Sequence, residues 1–368
     1  MTALEILTKR DLNRALLARQ MLISREAVAV AYVLERLLGL QAQDAAPPFV
    51  GLWTRIEGFQ RNDLALLIRD RVVVRATLLR GTLHLVHAED YLAFRSTFQP
   101  MFDAALRSVL GDRTSGVDVA ALVESGRRLF AERPRTFTQM RAALMELFPD
   151  GDERALGYTV RMRVPVVSTP DDSRWAFRGD PDFTDAATWL GKSPDPEPRA
   201  EALVLRYLAA FGPAAAVDVQ AWSGLGGARE VLNALRPRLV TFRDERKREL
   251  FDLPDAPRPA AETPVPVRFL PGFDNVILGH ADRSRIIADE HRSKVTTKNL
   301  QVLPTFLVDG FVAGTWKIAG AGAGAKLTLS PFKPLTAAVK AGLTKEGKDL
   351  LRFVEPEAGT PTVEFASV

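Results

Sequence analysis

The 368 residues contain no cysteine, which removes disulfides, thiolate nucleophiles, Cys-held iron–sulfur clusters and Cys-type zinc sites together. Histidine is nearly as scarce, at four residues. His84 and His87 are three apart in a segment that reads as strand, so they point to opposite faces and are badly placed to share a metal. His280 and His291 flank ADRSRIIADE without a carboxylate–histidine pattern. No metal site and no cofactor is expected. No apolar run approaches the roughly 18 residues that a membrane crossing needs. The opening MTALEILTKRDLNRALLARQ has acidic residues and helical periodicity where a signal peptide has a charged start and an apolar core. The expectation is a cytoplasmic, nucleoid-associated chain with no membrane partner. Walker lysine loop, G-x-S-x-G elbow, H-E-x-x-H and dinucleotide fingerprint are missing too. GLGGA at 224–228 lacks a preceding strand and reads as a turn between helices. Carboxylates clustered at metal spacing are lacking, which argues against a nuclease, and without a heptad seam a monomer is expected.

What the chain does have is 46% hydrophobic and 26% charged residues, enough for several modules with cores. The net charge of +4 is mild but uneven: residues 268–352 hold 13 Lys/Arg against 7 Asp/Glu. A polyanion has its best purchase there.

Along the chain, apolar spacings of three and four between Asp11 and Leu38 predict two amphipathic helices. Pro47 and Pro48 interrupt, so 41–48 reads as a loop or a short irregular entry to the next helix. Two short helices follow, the second with Asn62 as cap, and then VVVRATLLRGTLHLVHAEDY turns to strand periodicity around Gly81. Helices followed by a two-stranded ribbon is the layout of a winged helix. Residues 118–163 repeat it with three helices, and VPVVSTPDDSRWAF reads as strand, turn, strand. The Pro-rich 182–198 reads as linker, and a third helical group closes with two polar-alternating strands. Beyond Asp255 the chain becomes β-rich, with Asp309-Gly310 as hairpin turn and a terminal helix. The predicted fold is α+β: three tandem winged-helix units at 1–115, 116–195 and 196–255, then a small β-barrel-like domain at 256–368.

In QAQ, at Gln41, Ala42 and Gln43, two carboxamides flank an apolar residue just after the helix VLERLLGL. If the loop is extended, residues i and i+2 share a face and both amides can converge on one water. Asp44 is the nearest carboxylate, an alternative base or a turn and helix cap. The motif, with LNRALLARQML, LERLLGLQAQDAAPPFVGLWTRI, VRATLLRGTLHLVHAEDY, LPGFDNVILGHADRSRI and DGFVAGTW in that order, resembles the winged-helix DNA glycosylases of the AlkZ type across nearly the whole chain.

The resemblance implies that Gln41 and Gln43 are catalytic and that the partner is double-stranded DNA carrying alkylated purines or azinomycin-type interstrand crosslinks. It also implies a concave scaffold whose wings and Asp309-Gly310 hairpin touch the duplex. Arg80, His84, Arg283, Arg285 and Lys317 are the candidate DNA-backbone contacts. No lysine lies in the motif, which argues against a Schiff-base lyase step. A winged-helix transcription regulator and a noncatalytic damage-binding protein remain alternatives on the same pattern.

Overall fold

Thr8 opens the first helix by a reciprocal cap: its hydroxyl accepts the Asp11 N–H, and the Asp11 carboxylate accepts the Thr8 N–H at 2.9 Å. The structure, a computed structural model, describes residues 4–114 and 116–367. Residue 115, the expected end of the first unit, lies outside the described residues.

The N-terminal part runs β1 (Ile6–Leu7), α1 (Lys9–Arg19), α2 (Val30–Leu37), β2 (Leu40–Gln41), α3 (Pro47–Trp53), α4 (Arg61–Arg69), β3 (Val73–Thr77), β4 (Leu83–His87), α5 (Ala88–Phe94) and α6 (Gln99–Leu110). Where the pattern predicts an amphipathic helix, α1 is buried at seven of eleven residues, Arg14 and Arg19 among them. They are tolerated because each finds an acid: Arg19 holds Asp252 at 2.7 and 2.8 Å, and Arg14 donates to Asp309. Pro47 and Pro48 start α3 rather than merely ending what precedes it, since the first turn of a helix needs no proline N–H. The cap of α4 is Gln60, not Asn62; its N–H donates to Asp63 at 2.8 Å.

The second group is α7 (Val119–Glu132), α8 (Phe137–Leu147), α9 (Glu153–Arg163), β5 (Val166–Ser168), β6 (Phe183–Asp185) and α10 (Ala186–Leu190). The second strand falls later than the sequence suggests, inside the presumed linker. Asp171 is the reason: its carboxylate accepts the N–H groups of Ser173 and Arg178 and closes 171–178 into a loop. Trp175 then packs on Phe49, and Phe177 under Arg75.

The third group is α11 (Ala200–Phe211), α12 (Ala216–Ser223), α13 (Ala228–Ala234), β7 (Val240–Asp244) and β8 (Glu249–Asp252). The rest is β9 (Arg268–Leu270), α14 (Asn275–Leu278), α15 (Arg292–Val295), β10 (Thr305–Val308), β11 (Phe311–Ala319), β12 (Lys326–Pro331), α16 (Ala337–Val354) and β13 (Thr362–Phe365).

Three sheets organise these elements into a mixed α+β fold. One has the order β2-β4-β3-β5-β6 and joins the ribbons of the first two helical groups through the β3–β5 pair, Arg75 opposite Ser168. A second, β1-β7-β8, lays the N-terminal strand parallel to a strand of the third group. The third, β13-β12-β11-β10-β9, corrects the barrel-like expectation. It is open, with β9 and β13 as separate edges. The crossover through α16 delivers β13 to the far side of β12, and Leu343, Leu350 and Leu351 of α16 pack with Phe269 and Leu327. Among the described residues no helix is long and apolar enough to cross a membrane.

Candidate active site

Two left-handed residues, Leu38 (φ 57°) and Gly39 (φ 85°), end α2 and swing the chain into β2. A Cβ on Gly39 would lie 2.3 Å from Val86 Cγ1 and 2.7 Å from the Leu85 carbonyl oxygen, so only glycine lets β2 approach β4 this closely. The strands pair antiparallel, Leu40 opposite Leu85 and Gln41 opposite His84. The Ala42 N–H donates to the Leu83 carbonyl at 2.8 Å. Gln41 and His84 are therefore a non-hydrogen-bonded pair, the kind whose side chains come closest on one face of a sheet.

Beyond Ala42 the ladder stops because another residue takes its carbonyls. Arg75 of β3 donates through Nε to Ala42 O at 2.8 Å and through Nη2 to Gln43 O at 2.9 Å. Burial lowers the Arg75 pKa to about 10; Asp44 pulls the other way, and Arg161 adds to the fall. Sequence reasoning missed this clamp, although its signal was present: a lone charge in the middle of an apolar strand, VVRAT.

The two carboxamides turn to the same neighbouring turn. Gln41 is 7% exposed, and its Oε1 accepts from Arg80 Nη2 at 2.9 Å. A guanidinium only donates, so the amide must present oxygen to it, and the orientation of Gln41 is settled by that bond. Gln43 is exposed, and its Oε1 lies 3.4 Å from the Leu83 N–H. Asp44 is exposed and does not cap α3, whose N-cap is Ala46 with no side-chain bond.

The candidate DNA-backbone residues divide. Arg80 has a left-handed backbone (φ 54°) in the β3–β4 turn and spends its guanidinium on Gln41 and on the Trp222 carbonyl. Burial, then the nearby Arg283, lowers its pKa to about 10. His84 is 1% exposed with Nδ1 3.0 Å from Thr82 O; burial first, then Arg80, lowers its pKa to about 3, so the ring is neutral and has no charge for a phosphate. Arg285 is buried with Nη1 on the Pro213 carbonyl at 2.8 Å. Arg283 is half-buried with Nε lacking a partner. Lys317, on β11, is exposed. The hairpin tip behaves as a structural joint, since Asp309 takes Arg10 at 2.7 Å and also Arg14 from α1. Among the described residues no three His, Asp or Glu side chains group as a metal site would require.

What this arrangement can do chemically is hold a small neutral nucleophile. Each carboxamide oxygen has one lone pair committed to the protein and one left over, on a strand end braced by two arginines.

Known proteins share this build. The model of the DNA glycosylase AlkZ-like family matches residues 34–353. An interstrand DNA cross-link repair glycosylase of Streptomyces sahachiroi is 25% identical over 348 residues, spanning 85% of this chain and 88% of its own length. The solved structure of Streptomyces sahachiroi DNA glycosylase AlkZ is similar with a TM-score of 0.80 at 21% identity, over 98% of this chain and 100% of that one.

Proposed function

The chain belongs to the DNA glycosylase AlkZ-like family, and on that premise we propose that it hydrolyses the N-glycosidic bond of N7-alkylated purines in duplex DNA, interstrand crosslinks included, and leaves an abasic site. The observation that carries this reading is the fixed Gln41 carboxamide beside the exposed Gln43, both oxygens turned to the β3–β4 turn.

Alkylation at N7 makes the purine cationic before any enzyme acts, so no strong general acid is needed. The C1′–N9 bond breaks with both electrons going to the purine, which leaves neutral. Water adds to the oxocarbenium carbon, and its surplus proton passes to solvent. The free lone pairs of Gln41 and Gln43 orient that water and face the developing positive charge, an electrostatic contribution that is large in a preorganised site. An amide is too weak a base to deprotonate water early, so the chemistry is confined to charged, labile lesions. With no lysine in the loop there is no Schiff base, and the strand stays uncut. The reaction asks for no metal.

We read the three helix-and-ribbon groups as winged-helix units that cradle the duplex with the lesion still stacked, since a base tied to the opposite strand cannot swing out freely. Lys317 and Arg283 are the backbone contacts of the original set that remain accessible to DNA.

The test is base release from duplexes carrying N7-alkylguanine or an N7–N7 crosslink, in EDTA, by wild type, Gln41→Ala, Gln43→Ala and the double variant. Release by wild type, with the double variant binding DNA but releasing nothing above the spontaneous rate, supports the carboxamide mechanism. Equal release by all four, or none by any, overturns it and favours a damage-binding or regulatory role.

A further inference from the structure

Arg154, Tyr158 and Arg161 lie on one stripe of α9, at spacings of four and three. With Gly157, and with Phe137 and Arg141 from the start of α8, they line a groove of about 200 Å³. Gly157 keeps it open: a Cβ there would lie 2.6 Å from Arg141 Cγ.

The groove is poor in counter-charge. Among the described residues its three guanidiniums have one ion-pair partner, Glu153, exposed and 3.6 Å from Arg141. Arg161 is half-buried, and burial lowers its pKa. Its Nε is buried without a hydrogen-bond partner, its guanidinium carbon lies 5.3 Å from the Phe137 ring, and among the described residues it forms no ion pair. Arg141 Nε is also buried and makes no hydrogen bond; it is the atom that the Glu153 carboxylate approaches to 3.6 Å. Elsewhere in this protein the buried guanidiniums find hydrogen-bond partners: Arg14, Arg19 and Arg55 meet aspartates, and Arg75, Arg95 and Arg285 donate to main-chain carbonyls. A partly desolvated guanidinium left without any hydrogen-bond partner is costly, which makes the persistence of Arg161 here a sign of a ligand.

The inner end of the groove approaches the QAQ loop. Arg161 lies near enough to Arg75 to affect its ionisation, and Arg75, whose Nη1 is itself buried and unpartnered, holds the carbonyls of residues 42 and 43. The C-terminal turn of α9 also abuts the β3–β4 turn, where Met162 Cε would lie 3.9 Å from a Cβ on Gly81.

We propose that the α8–α9 groove is a phosphodiester site that holds a DNA backbone phosphate flanking the base presented to Gln41 and Gln43, with Arg161 and Arg141 donating to its oxygens and Arg154 at the mouth. It rests on the DNA reading above. The contact is made by charge and guanidinium geometry, so it is independent of base sequence.

Arg161→Met, Arg161→Lys and Arg154→Gln in the full chain test it by binding to an undamaged duplex over a series of salt concentrations, with thermal melting alongside. Arg352→Gln, an exposed arginine already paired with Asp349, is the control. The expected result for Arg161→Met is weaker binding, a salt slope shallower by about 0.9 per lost phosphate contact, and a Tm that does not fall. Arg161→Lys recovers the slope but not the full affinity, exposed Arg154→Gln also flattens it, and the control leaves both unchanged. Unchanged slopes for Arg161→Met and Arg154→Gln overturn the groove, whatever happens to base release. A wild type that binds duplex with the expected slope dependence but never frees a base overturns the glycosylase reading and leaves the groove standing.

Discussion

Arg80 donates to the main-chain carbonyl of Trp222, 142 residues further along the chain, with one arm of its guanidinium, and to the Gln41 carboxamide with the other. One side chain thereby anchors a residue of the QAQ loop to the end of α12. Arg80 is a positioning residue in this arrangement, acting through the amide that it orients.

Replacement of Arg80 by Met releases that amide. A hydrogen bond to a charged group is worth about 1.5–3 kcal/mol, so single-turnover base release should fall roughly 10- to 100-fold. Affinity for undamaged duplex should change much less. Rates equal to wild type would remove Arg80 from the positioning role.

Acid should weaken the fold through its buried imidazoles. His280 has Nε2 3.0 Å from the Phe211 carbonyl, and its pKa falls from 6.5 to about 3, first through burial, then through Arg285, with Asp218 opposing. The unfolded chain takes up a proton near pH 6.5 that the folded chain refuses. The contribution is thus complete above 6.5 and is lost as pH falls from 6.5 towards 3, at about 1.4 kcal/mol per pH unit for this group. His84 acts in the same direction. Urea midpoints measured from pH 7 to pH 4 should decline less steeply for His280→Gln than for wild type; parallel declines would acquit His280.

Gly310 should not tolerate a side chain. Its φ is 82°, and a Cβ would sit 2.6 Å from Asn13 Oδ1 and Leu17 Cδ1 and 2.8 Å from Arg14 Nη1. Gly310→Ala combines left-handed strain with a clash against α1, a loss of about 1–3 kcal/mol. Urea unfolding reads it, and a loss below about 0.5 kcal/mol would mean that the hairpin tip moves freely of α1.

Legibility from sequence followed the range of the interactions. The helices over 118–163 and the turns at Gly81 and Asp309-Gly310 rest on local periodicity and on residues suited to positive φ, and the structure has them there. Pairing between distant strands was out of reach: neither β3 with β5 nor β1 with β7 leaves a mark in either segment alone. The second strand of 164–177 was misplaced because Asp171 closes a loop that alternation does not reveal. At the site, the two glutamines stand out by resemblance, while the sequence marks Arg80 and Arg285 as contacts to the DNA backbone and leaves Arg75 unmarked. Arg80 and Arg285 turn inward to carbonyls, and the partners that make this tolerable are far away in sequence. Arg75 was readable in principle, as a charge on a strand whose every residue is buried.

The parallel pairing of β1 with β7 has a consequence for synthesis. Leu7 lies opposite Asp244, so the first strand to leave the ribosome waits for residues made more than 230 positions later, tens of seconds at roughly 5–20 residues per second. Arg80 likewise waits for Trp222. The QAQ loop is translated early and braced late, so a nascent chain carries both carboxamides long before the arginines and carbonyls that hold the loop are in place, and a prematurely terminated product never acquires that bracing.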